Sequence, residues 1–269
     1  MMPSDKPLLS VQNLRKSFSG IKAVSDLSFT VSRGEIVGLI GPNGSGKSTS
    51  IDCVTGFTKS DRGTTTLDGV ELSHARPEQI AQAGLARTFQ NVRVYDRLTV
   101  TENVLIARQA YDGVSWWKVL LGSLASRAAE RRAEDRGREL IHLVGLGAMS
   151  TFPAAFLSYG QKKLLALAMA LMSDPKIVIL DEPLAGVNPT VIRRVAGLIE
   201  TLNRNGQTFI IVEHNVQFIM DHCSRVVVME QGRKLAEGQP SLIKEDERVL
   251  QAYLGKADAV AMELAFHGR

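Results

Sequence analysis

Cysteine is scarce in this sequence. Cys53 and Cys223 are the only two cysteines among 269 residues. Two thiols this far apart in the chain form no close pair that could ligate zinc and no redox motif, so the sequence excludes both kinds of site. We expect each cysteine to act as a small buried hydrophobe in a reducing compartment.

Long apolar runs and a strong charge of either sign are also missing. The first residues, MMPSDKPLL, contain no signal-peptide stretch, and the most apolar short region, Trp116–Ala125, carries Lys118. That region is well below the roughly 20 residues that a spanning helix needs. The net charge of +4 is too small to indicate a nucleic-acid partner. We expect a chain that is cytoplasmic or peripheral to a membrane and does not cross it.

What is present is the pattern of an α/β sheet. The first thirty or so residues alternate between apolar and polar, with turns at Ser19–Gly20 and Arg33–Gly34, which predicts short strands. Ile36–Ile40 is typical of a strand buried on both faces, and it leads into glycines and an apparent helix from Gly46. Strand, glycine loop and helix begin a parallel α/β sheet. Further buried strands are predicted at 177–180, 209–212 and 226–229, with helices at 190–203 and 216–222.

The middle of the chain, from Pro77 to Leu157, changes in character. Helices are predicted at 77–83, 100–110 and 123–144, and the last of them is long and amphipathic. No buried strand is expected here. The segment therefore predicts a helical lobe inserted into the sheet domain.

A glycine-rich segment after the first buried strand carries the strongest chemical signal. Gly41 to Thr49 matches the phosphate-loop pattern. Glycines let successive backbone N–H groups converge on an anion, and the helix N-terminus adds partial positive charge. The alternative is a glycine-rich turn that matches by accident, and the strand before and the helix after it argue against that reading.

The phosphate loop predicts how ATP and Mg²⁺ bind. Lys47 would reach the β- and γ-phosphates, Ser48 would ligate Mg²⁺, and Thr49 would lie near the α-phosphate. The nucleotide-binding residues predicted in this loop are Asn43, Gly44, Ser45, Gly46, Lys47, Ser48 and Thr49.

A buried strand far downstream ends in two carboxylates, Asp181 and Glu182. Catalytic carboxylates belong at the C-terminal end of a parallel strand, beside the phosphate loop. Asp181 is predicted to hold the Mg²⁺ shell. Glu182 is predicted to polarise the attacking water as general base. An acidic pair that simply starts a loop is the alternative, and the phosphate loop favours ATP hydrolysis instead.

A third segment, Leu157–Gln161, reads Leu-Ser-Tyr-Gly-Gln and precedes an apolar helix predicted from Leu164 to Met172. A serine hydroxyl, a glycine amide and a helix N-terminus together make a second anion site. Taken singly, Ser158 is better interpreted as an ordinary helix N-cap. The segment indicates function only in the context of the other motifs.

The order and spacing of five motifs supply that context. They are the phosphate loop, Gln90 at the edge of the helical lobe, LSYGQ, ILDEP and Glu213–His214. From about Leu8 to Leu254 this order resembles the ATP-binding subunits of ABC transporters. The resemblance implies a P-loop NTPase core of the RecA-like α/β class, with an N-terminal antiparallel β subdomain and an inserted helical signature lobe. It implies a domain at 8–256, with the core at 8–89 and 161–256, the lobe at 90–160 and a loose tail at 257–269.

The resemblance also implies roles for single residues. Phe18 would stack on adenine, with Val24 nearby. Gln90 would contact Mg²⁺ and the attacking water, and His214 would contact the γ-phosphate. Each has an alternative: Phe18 as a core aromatic residue, Gln90 as a solvated loop amide, and His214 as a structural histidine.

The signature segment is implied to act across a dimer. Ser158, Gly160 and Gln161 would contact the γ-phosphate bound to the opposite subunit, so that two copies sandwich two ATP molecules in an isologous dimer. Two positions depart from the family pattern. Tyr159 replaces the first of two glycines, and we expect binding to survive. Asn188 stands where an aspartate is often found, which leaves its role between the two sites open.

Three stretches resemble the ATP-binding subunits of high-affinity branched-chain amino-acid importers: Gly84–Arg93, an insertion from Ala107 to about Gly145, and Val249–Leu254. The implied partners are transmembrane permease subunits, a second ATP-binding subunit in a homo- or heterodimer and, indirectly, a periplasmic or extracellular solute-binding protein. The implied location is the cytoplasmic face of the inner membrane, as a peripheral subunit. Urea or amide importers and the lipopolysaccharide-export ATPase are the nearest alternatives, although the latter lacks an equally long insertion.

Other classes of protein fit the sequence less well. A soluble ABC ATPase acting on ribosomes or DNA usually carries two cassettes or a long coiled coil, and this chain has one phosphate loop and one signature. A small-molecule phosphoryltransferase would leave the signature unexplained. Trp116 and Trp117 in the insertion mark either a partner or membrane-surface contact or a simple cover of the helical lobe.

Overall fold

The computed structural model describes residues 6–108 and 124–254, and the expectations for Trp116, Trp117 and the tail from residue 257 lie outside them. These residues form two compact units. The sheet unit comprises 6–87, 176–184 and 199–254, and the helical unit comprises 88–108, 124–175 and 185–198. The helical unit therefore interrupts the sheet unit twice along the chain.

Ten strands occur in the described residues, all of them in the sheet unit. They are β1 (Leu9–Phe18), β2 (Ile21–Val31), β3 (Ile36–Ile40), β4 (Arg62–Leu67), β5 (Val70–Glu71), β6 (Leu85–Arg87), β7 (Ile177–Asp181), β8 (Thr208–Val212), β9 (Arg225–Glu230) and β10 (Arg233–Gly238).

Nine α-helices occur in the same residues. They are α1 (Lys47–Val54), α2 (Pro77–Gln82), α3 (Val100–Ile106), α4 (Leu124–Leu143), α5 (Tyr159–Leu171), α6 (Pro189–Arg204), α7 (Val216–His222), α8 (Pro240–Glu245) and α9 (Glu247–Leu254). None of these described helices combines the length and the apolar character needed to cross a membrane.

The N-terminal strands form an antiparallel sheet in the order β2-β1-β4-β5. β1 and β2 are joined by a tight turn at Ser19 and Gly20, both in the left-handed region with φ of 46° and 86°. Glycine adopts this conformation without steric cost, which fixes the turn. The sheet confirms the predicted antiparallel subdomain, although two strands of 10 and 11 residues replace the short strands that we expected.

A second sheet, in the order β10-β9-β3-β8-β7-β6, forms the centre of the sheet unit. β3, β7, β8, β9 and β6 run parallel, and β10 pairs antiparallel at one edge. Every residue of β3, β7 and β8 is buried, as expected for strands covered on both faces. The carboxyl ends of β3, β8 and β7 are neighbours. They bring the phosphate loop, Glu213 and the Asp181–Glu182 pair to the same edge of the sheet.

Three predictions between residues 77 and 172 were wrong. Leu85–Arg87 forms β6, with Leu85 buried, and pairs in parallel with β7 in a segment that was expected to contain helices and no buried strand. The helix predicted at 100–110 ends at Ile106, with Ala107 as its C-cap. The helix predicted from Leu164 begins at Tyr159, because Ser158 caps it. A strand of three residues is too short for a periodic signal, and cap residues decide helix ends.

The helical unit has its own packing. α3, α4 and α5 contact one another, and Asn103 on α3 is completely buried. The Asn103 amide nitrogen donates to the carbonyl oxygens of Tyr95, Leu98 and Thr99 at 3.0, 3.2 and 2.9 Å. These bonds satisfy a buried amide and fix the turn that follows Gln90 in the sequence.

Candidate active site

The phosphate loop joins β3 to α1 in the sheet unit. β3 ends at Ile40, and α1 begins at Lys47 with Gly46 as its N-cap at a φ of 100°. No side chain among the described residues caps this helix. A helix N-terminus whose N–H groups lack a side-chain acceptor is suited to bind phosphate.

Two glycines of the loop are required by close backbone contacts. A Cβ added at Gly41 would lie 2.1 Å from the carbonyl oxygen of Met229, and one at Gly46 would lie 2.4 Å from that of Ala23. Both have positive φ, which L residues rarely adopt. The surrounding backbone therefore leaves no room for a side chain at Gly41 or Gly46, and only glycine fits there.

Lys47 is buried at the start of α1, with 5% of the residue exposed. Its Nζ donates to the carbonyl oxygens of Gly41 at 2.7 Å and Pro42 at 3.1 Å. Burial lowers the pKa of Lys47, and the negative charges of Glu182 and Asp181 oppose that shift. A bound phosphate would offset the cost of burying this ammonium group.

Asp181, at the end of β7, is buried with a guanidinium partner. Arg87 Nη2 donates to Asp181 Oδ2 at 2.6 Å. Arg87 Nη1 donates to Asp52 Oδ1 on α1 at 2.6 Å and to Thr55 Oγ1 at 3.2 Å. Sequence reasoning gave Arg87 no role, because one arginine at the end of a three-residue strand carries no signal of its own.

Glu182 and His214, predicted separately, meet in the structure. The distance from Glu182 Oε1 to His214 Nε2 is 2.7 Å. Glu182 has a φ of 47°, unusual for a residue with a side chain, and its N–H donates to the carbonyl oxygen of Val212 at 2.8 Å. Strained backbone of this kind clusters at functional sites. Nearly half of the His214 side chain is exposed, so this pair borders solvent.

Glu213 was quoted in a motif but was given no role from sequence. It is buried, and its carboxylate accepts hydrogen bonds from the N–H groups of Leu184 at 2.7 Å and His214 at 3.0 Å. Burial raises the pKa of Glu213, while these backbone donors oppose the rise. Glu213 therefore ties the loop after Glu182 to the loop that carries His214.

Phe18 and Val24, the predicted adenine contacts, lie in different environments. Phe18 is 48% exposed at the end of β1, and Lys16 Nζ lies 5.1 Å from its ring centroid. Val24 is 1% exposed and belongs to the hydrophobic core. An exposed aromatic ring offers a stacking surface, and a core valine does not.

The signature residues lie in the helical unit, where Ser158 caps α5. Its hydroxyl accepts from the Gln161 N–H at 3.3 Å, and Gln161 Oε1 accepts from the Ser158 N–H at 2.8 Å. This reciprocal pair is a capping box. Gly160 is buried, and a Cβ there would lie 2.8 Å from the Val191 side chain. Gln90 is exposed in a loop of the same unit.

The two departures from the family pattern have visible local partners in the helical unit. The Tyr159 hydroxyl donates to the Gln90 carbonyl oxygen at 3.4 Å, and a Cβ on Gly186 would lie 3.2 Å from the Tyr159 ring. Asn188 Oδ1 accepts from the Val191 N–H at 3.0 Å, as a helix N-cap does. Asparagine and aspartate perform that capping equally well.

The donors predicted for a metal in the sheet unit are one hydroxyl and one carboxylate. Ser48 is exposed in the first turn of α1, and Asp181 is buried at the end of β7. Within residues 6–108 and 124–254, no group of three His, Cys, Asp or Glu side chains could hold a metal. A sparse set of oxygen donors fits Mg²⁺, which uses one or two carboxylates together with waters and nucleotide phosphates.

Comparison with known proteins gives the family. The family model for ABC transporters matches residues 24–185, and the model for branched-chain amino acid ATP-binding cassette transporters matches residues 233–259. The chain is similar to the high-affinity branched-chain amino acid transport ATP-binding protein LivG of Escherichia coli (strain K12). Their identity is 38% over 253 residues, covering 94% of this chain and 99% of LivG.

Two further likenesses span almost the whole chain. The lipopolysaccharide export system ATP-binding protein LptB of Escherichia coli (strain K12) is 35% identical, over 92% of this chain and 97% of LptB. The ADP conformation of MJ1267, an ATP-binding cassette of an ABC transporter, superposes with a TM-score of 0.80 at 30% identity, over 93% of this chain and 100% of that chain. The chain therefore belongs to the ABC transporter ATP-binding proteins of the branched-chain amino acid transport (LivG-like) family, the ATPase subunits of membrane transport complexes.

Proposed function

We propose that this chain hydrolyses Mg-ATP to power the import of branched-chain amino acids. The observation that carries the catalytic part is the 2.7 Å contact between Glu182 and His214, with the Glu182 charge also acting on Lys47. The substrate part rests on the match at residues 233–259 and on the named function of LivG.

ATP would bind with its phosphates on the loop between β3 and α1. The N–H groups of the loop and Lys47 would hold the β- and γ-phosphates, with Asn43 to Thr49 around them. Ser48 and Asp181 would hold Mg²⁺, which when bound neutralises charge on the phosphate oxygens. The exposed ring of Phe18 would stack on the adenine.

Glu182 would accept a proton from the water that attacks the γ-phosphate. His214 is within hydrogen-bond distance of that carboxylate and would hold the carboxylate in place. His214 would also face the γ-phosphate. The positive φ of Glu182 and its N–H bond to Val212 set the direction in which the side chain leaves the backbone. A positioned general base of this kind accounts for about 10²–10⁴-fold in rate.

The signature would complete the site of a second subunit. Ser158, Gly160 and Gln161 stand at the N-terminus of α5, where a helix end favours an anion. In a head-to-tail pair, this end of one chain would face the γ-phosphate held by the other. Gln90 would contact Mg²⁺ and the attacking water and relay the nucleotide state to a membrane partner. Each of these residue roles is inferred from the family resemblance and can be tested by mutation.

Replacing Phe18 with alanine is expected to raise the KM for ATP about 3–10-fold, with a smaller change in kcat. Loss of a stacking surface weakens ground and transition states about equally, and an aromatic pair contributes about 0.5–1.5 kcal/mol. Steady-state ATPase kinetics measure both constants. Phe152→Ala is the matched control, since Phe152 is also 48% exposed but lies in the helical unit. An unchanged KM in Phe18→Ala would return Phe18 to a purely structural role.

The transport complex and its solute are the part of the proposal that needs partners. We expect the chain to copurify with transmembrane permease subunits and a second ATP-binding subunit, and to work with a solute-binding protein. Reconstituted in vesicles, that complex should take up labelled leucine when ATP is supplied on the side of this chain.

Lipopolysaccharide export is a second candidate, because LptB is 35% identical to this chain. Export partners in the same purification, with no leucine uptake, would favour it. Copurification with permease subunits that move leucine would exclude it.

A further inference from the structure

Arg87 is a buried cation that the proposed chemistry leaves without a role. Its side chain is 8% exposed, and its guanidinium lies between two carboxylates, Asp52 on α1 and Asp181 at the end of β7. We propose that Arg87 is a positioning residue, which holds Asp181 in the orientation that serves the Mg²⁺ site. The inference rests on the proposed Mg-ATP function.

The geometry suits a clamp. Each terminal nitrogen of Arg87 bonds a different carboxylate, both at 2.6 Å, and Nη1 also reaches Thr55 Oγ1 at 3.2 Å. Arginine presents its donors in a rigid planar fork, so its position fixes the direction of the groups that it bonds. The helix that follows the phosphate loop and the carboxylate predicted to hold the metal are thereby tied to one side chain.

Stability alone is a weak reason for such an arrangement. Burying an ion pair costs desolvation that can match the attraction gained, and apolar residues of similar size often serve folding equally well. The pair is placed, however, where orientation matters. Asp181 also acts electrostatically on Lys47, so a carboxylate released from Arg87 would be drawn toward the lysine that the phosphates need.

Two roles of Arg87 make opposite predictions for metal binding. If the guanidinium only neutralises Asp181, removing the Arg87 charge should tighten Mg²⁺ binding, because Asp181 would then offer the metal its full negative charge. Arg87→Lys would in that case have no effect. If it orients Asp181, metal binding should weaken in Arg87→Met and also in Arg87→Lys. Lysine keeps the charge but has no fork that bridges two carboxylates. The pair of variants therefore separates charge from geometry.

The test measures the Kd of a fluorescent ADP derivative in saturating Mg²⁺ and again in EDTA, without hydrolysis. The ratio of the Kd in EDTA to the Kd in Mg²⁺ reports how much the metal strengthens nucleotide binding. In both Arg87 variants we expect that ratio to fall by up to roughly tenfold, the lower end of the effect seen when a partner behind a metal ligand is removed. The Kd in EDTA should stay close to that of the wild type in Arg87→Lys.

Matched variants keep the test decisive. Arg33→Met removes an exposed arginine paired with Asp68 in the same unit and should leave the ratio unchanged. Asp52→Asn loosens only the other end of the clamp and should lower the ratio partly. If circular dichroism shows that Arg87→Met does not fold, Arg87→Lys and Asp52→Asn carry the test.

Each result has one meaning. Wild-type ratios in both Arg87→Lys and Asp52→Asn, or tighter metal binding in Arg87→Met with no change in Arg87→Lys, would overturn the positioning role and leave the Mg-ATP proposal standing. If the wild-type chain bound the nucleotide with the same Kd in Mg²⁺ and in EDTA, both proposals would be overturned together.

Discussion

ATP hydrolysis is expected to fall by about 10²–10⁴-fold when Glu182 is replaced with glutamine, the usual contribution of a general base. Glutamine keeps the size of the side chain and can still contact His214, but it cannot accept the proton of the attacking water. Nucleotide binding should stay near that of the wild type, since Lys47 and Asp181 are unchanged. Phosphate release and the Kd for ATP, measured on the same preparation, check both statements.

A surface pair with the same chemistry supplies the control for Glu182. Glu200 Oε1 lies 2.9 Å from His222 Nδ1, and half of the Glu200 side chain is exposed. Glu200→Gln should hydrolyse ATP at the wild-type rate, which excludes a general effect of removing the carboxylate from a Glu–His pair. If Glu182→Gln also hydrolysed ATP normally, Glu182 would lose its assignment as the base.

Replacing Lys47 with alanine is expected to weaken ATP binding by about 10–100-fold. A hydrogen bond to a charged group contributes roughly 1.5–3 kcal/mol, and each 1.4 kcal/mol is a factor of ten in Kd. Lys47 would supply such bonds to the β- and γ-phosphates, which no neighbouring residue of the loop can replace. Calorimetric titration with ATP measures the change directly.

An exposed lysine in the same unit provides the comparison for Lys47. Lys176 Nζ lies 2.8 Å from Asp68 Oδ2, and 41% of its side chain is exposed. Lys176→Ala should bind ATP as the wild type does. Binding of wild-type strength by Lys47→Ala would show that the loop holds no phosphate through this lysine. Thermal unfolding of both variants checks that the loop still folds, because Lys47 also bonds the Gly41 and Pro42 carbonyl groups.

The elements with a strong local pattern were predictable from sequence. Ile36–Ile40 and Val216–His222 have the predicted bounds, and the long helix Leu124–Leu143 ends one residue before its predicted end at Val144. In each case an apolar run or a periodic pattern of sufficient length predicts both the type of element and its bounds. The family followed from the order of the motifs, which depends on sequence alone.

The features that sequence did not reveal depend on contacts between distant segments. β6 is a strand because Leu85 pairs with Ile177, not because its three residues favour one. Arg87 is buried between carboxylates on two other elements, and Glu213 bonds the backbone of Leu184. Such partners are defined only after the chain has folded.

The candidate site was predictable in residue type but not in geometry. The sequence placed Glu182 and His214 in separate motifs, and only the structure brings them within 2.7 Å. Phe18 and Val24 were expected together, and the fold turns one outward and buries the other. Strand faces depend on register, and the irregular pairing of β1 with β2 between Leu14 and Ser17 changes which residues point outward.

The central claim is that the LSYGQ segment of one subunit completes the ATP site of another, and one measurement tests it most directly. Light scattering after size-exclusion chromatography gives the mass of Glu182→Gln protein with and without Mg-ATP. Hydrolysis would reopen the proposed dimer, so with Mg-ATP this variant should accumulate as a dimer, either with itself or with its partner ATPase. Without Mg-ATP it should have the mass of one chain. Adding Ser158→Arg places bulk and charge at the N-terminus of α5 and should prevent that dimer. A double variant that still dimerises on Mg-ATP would contradict the claim.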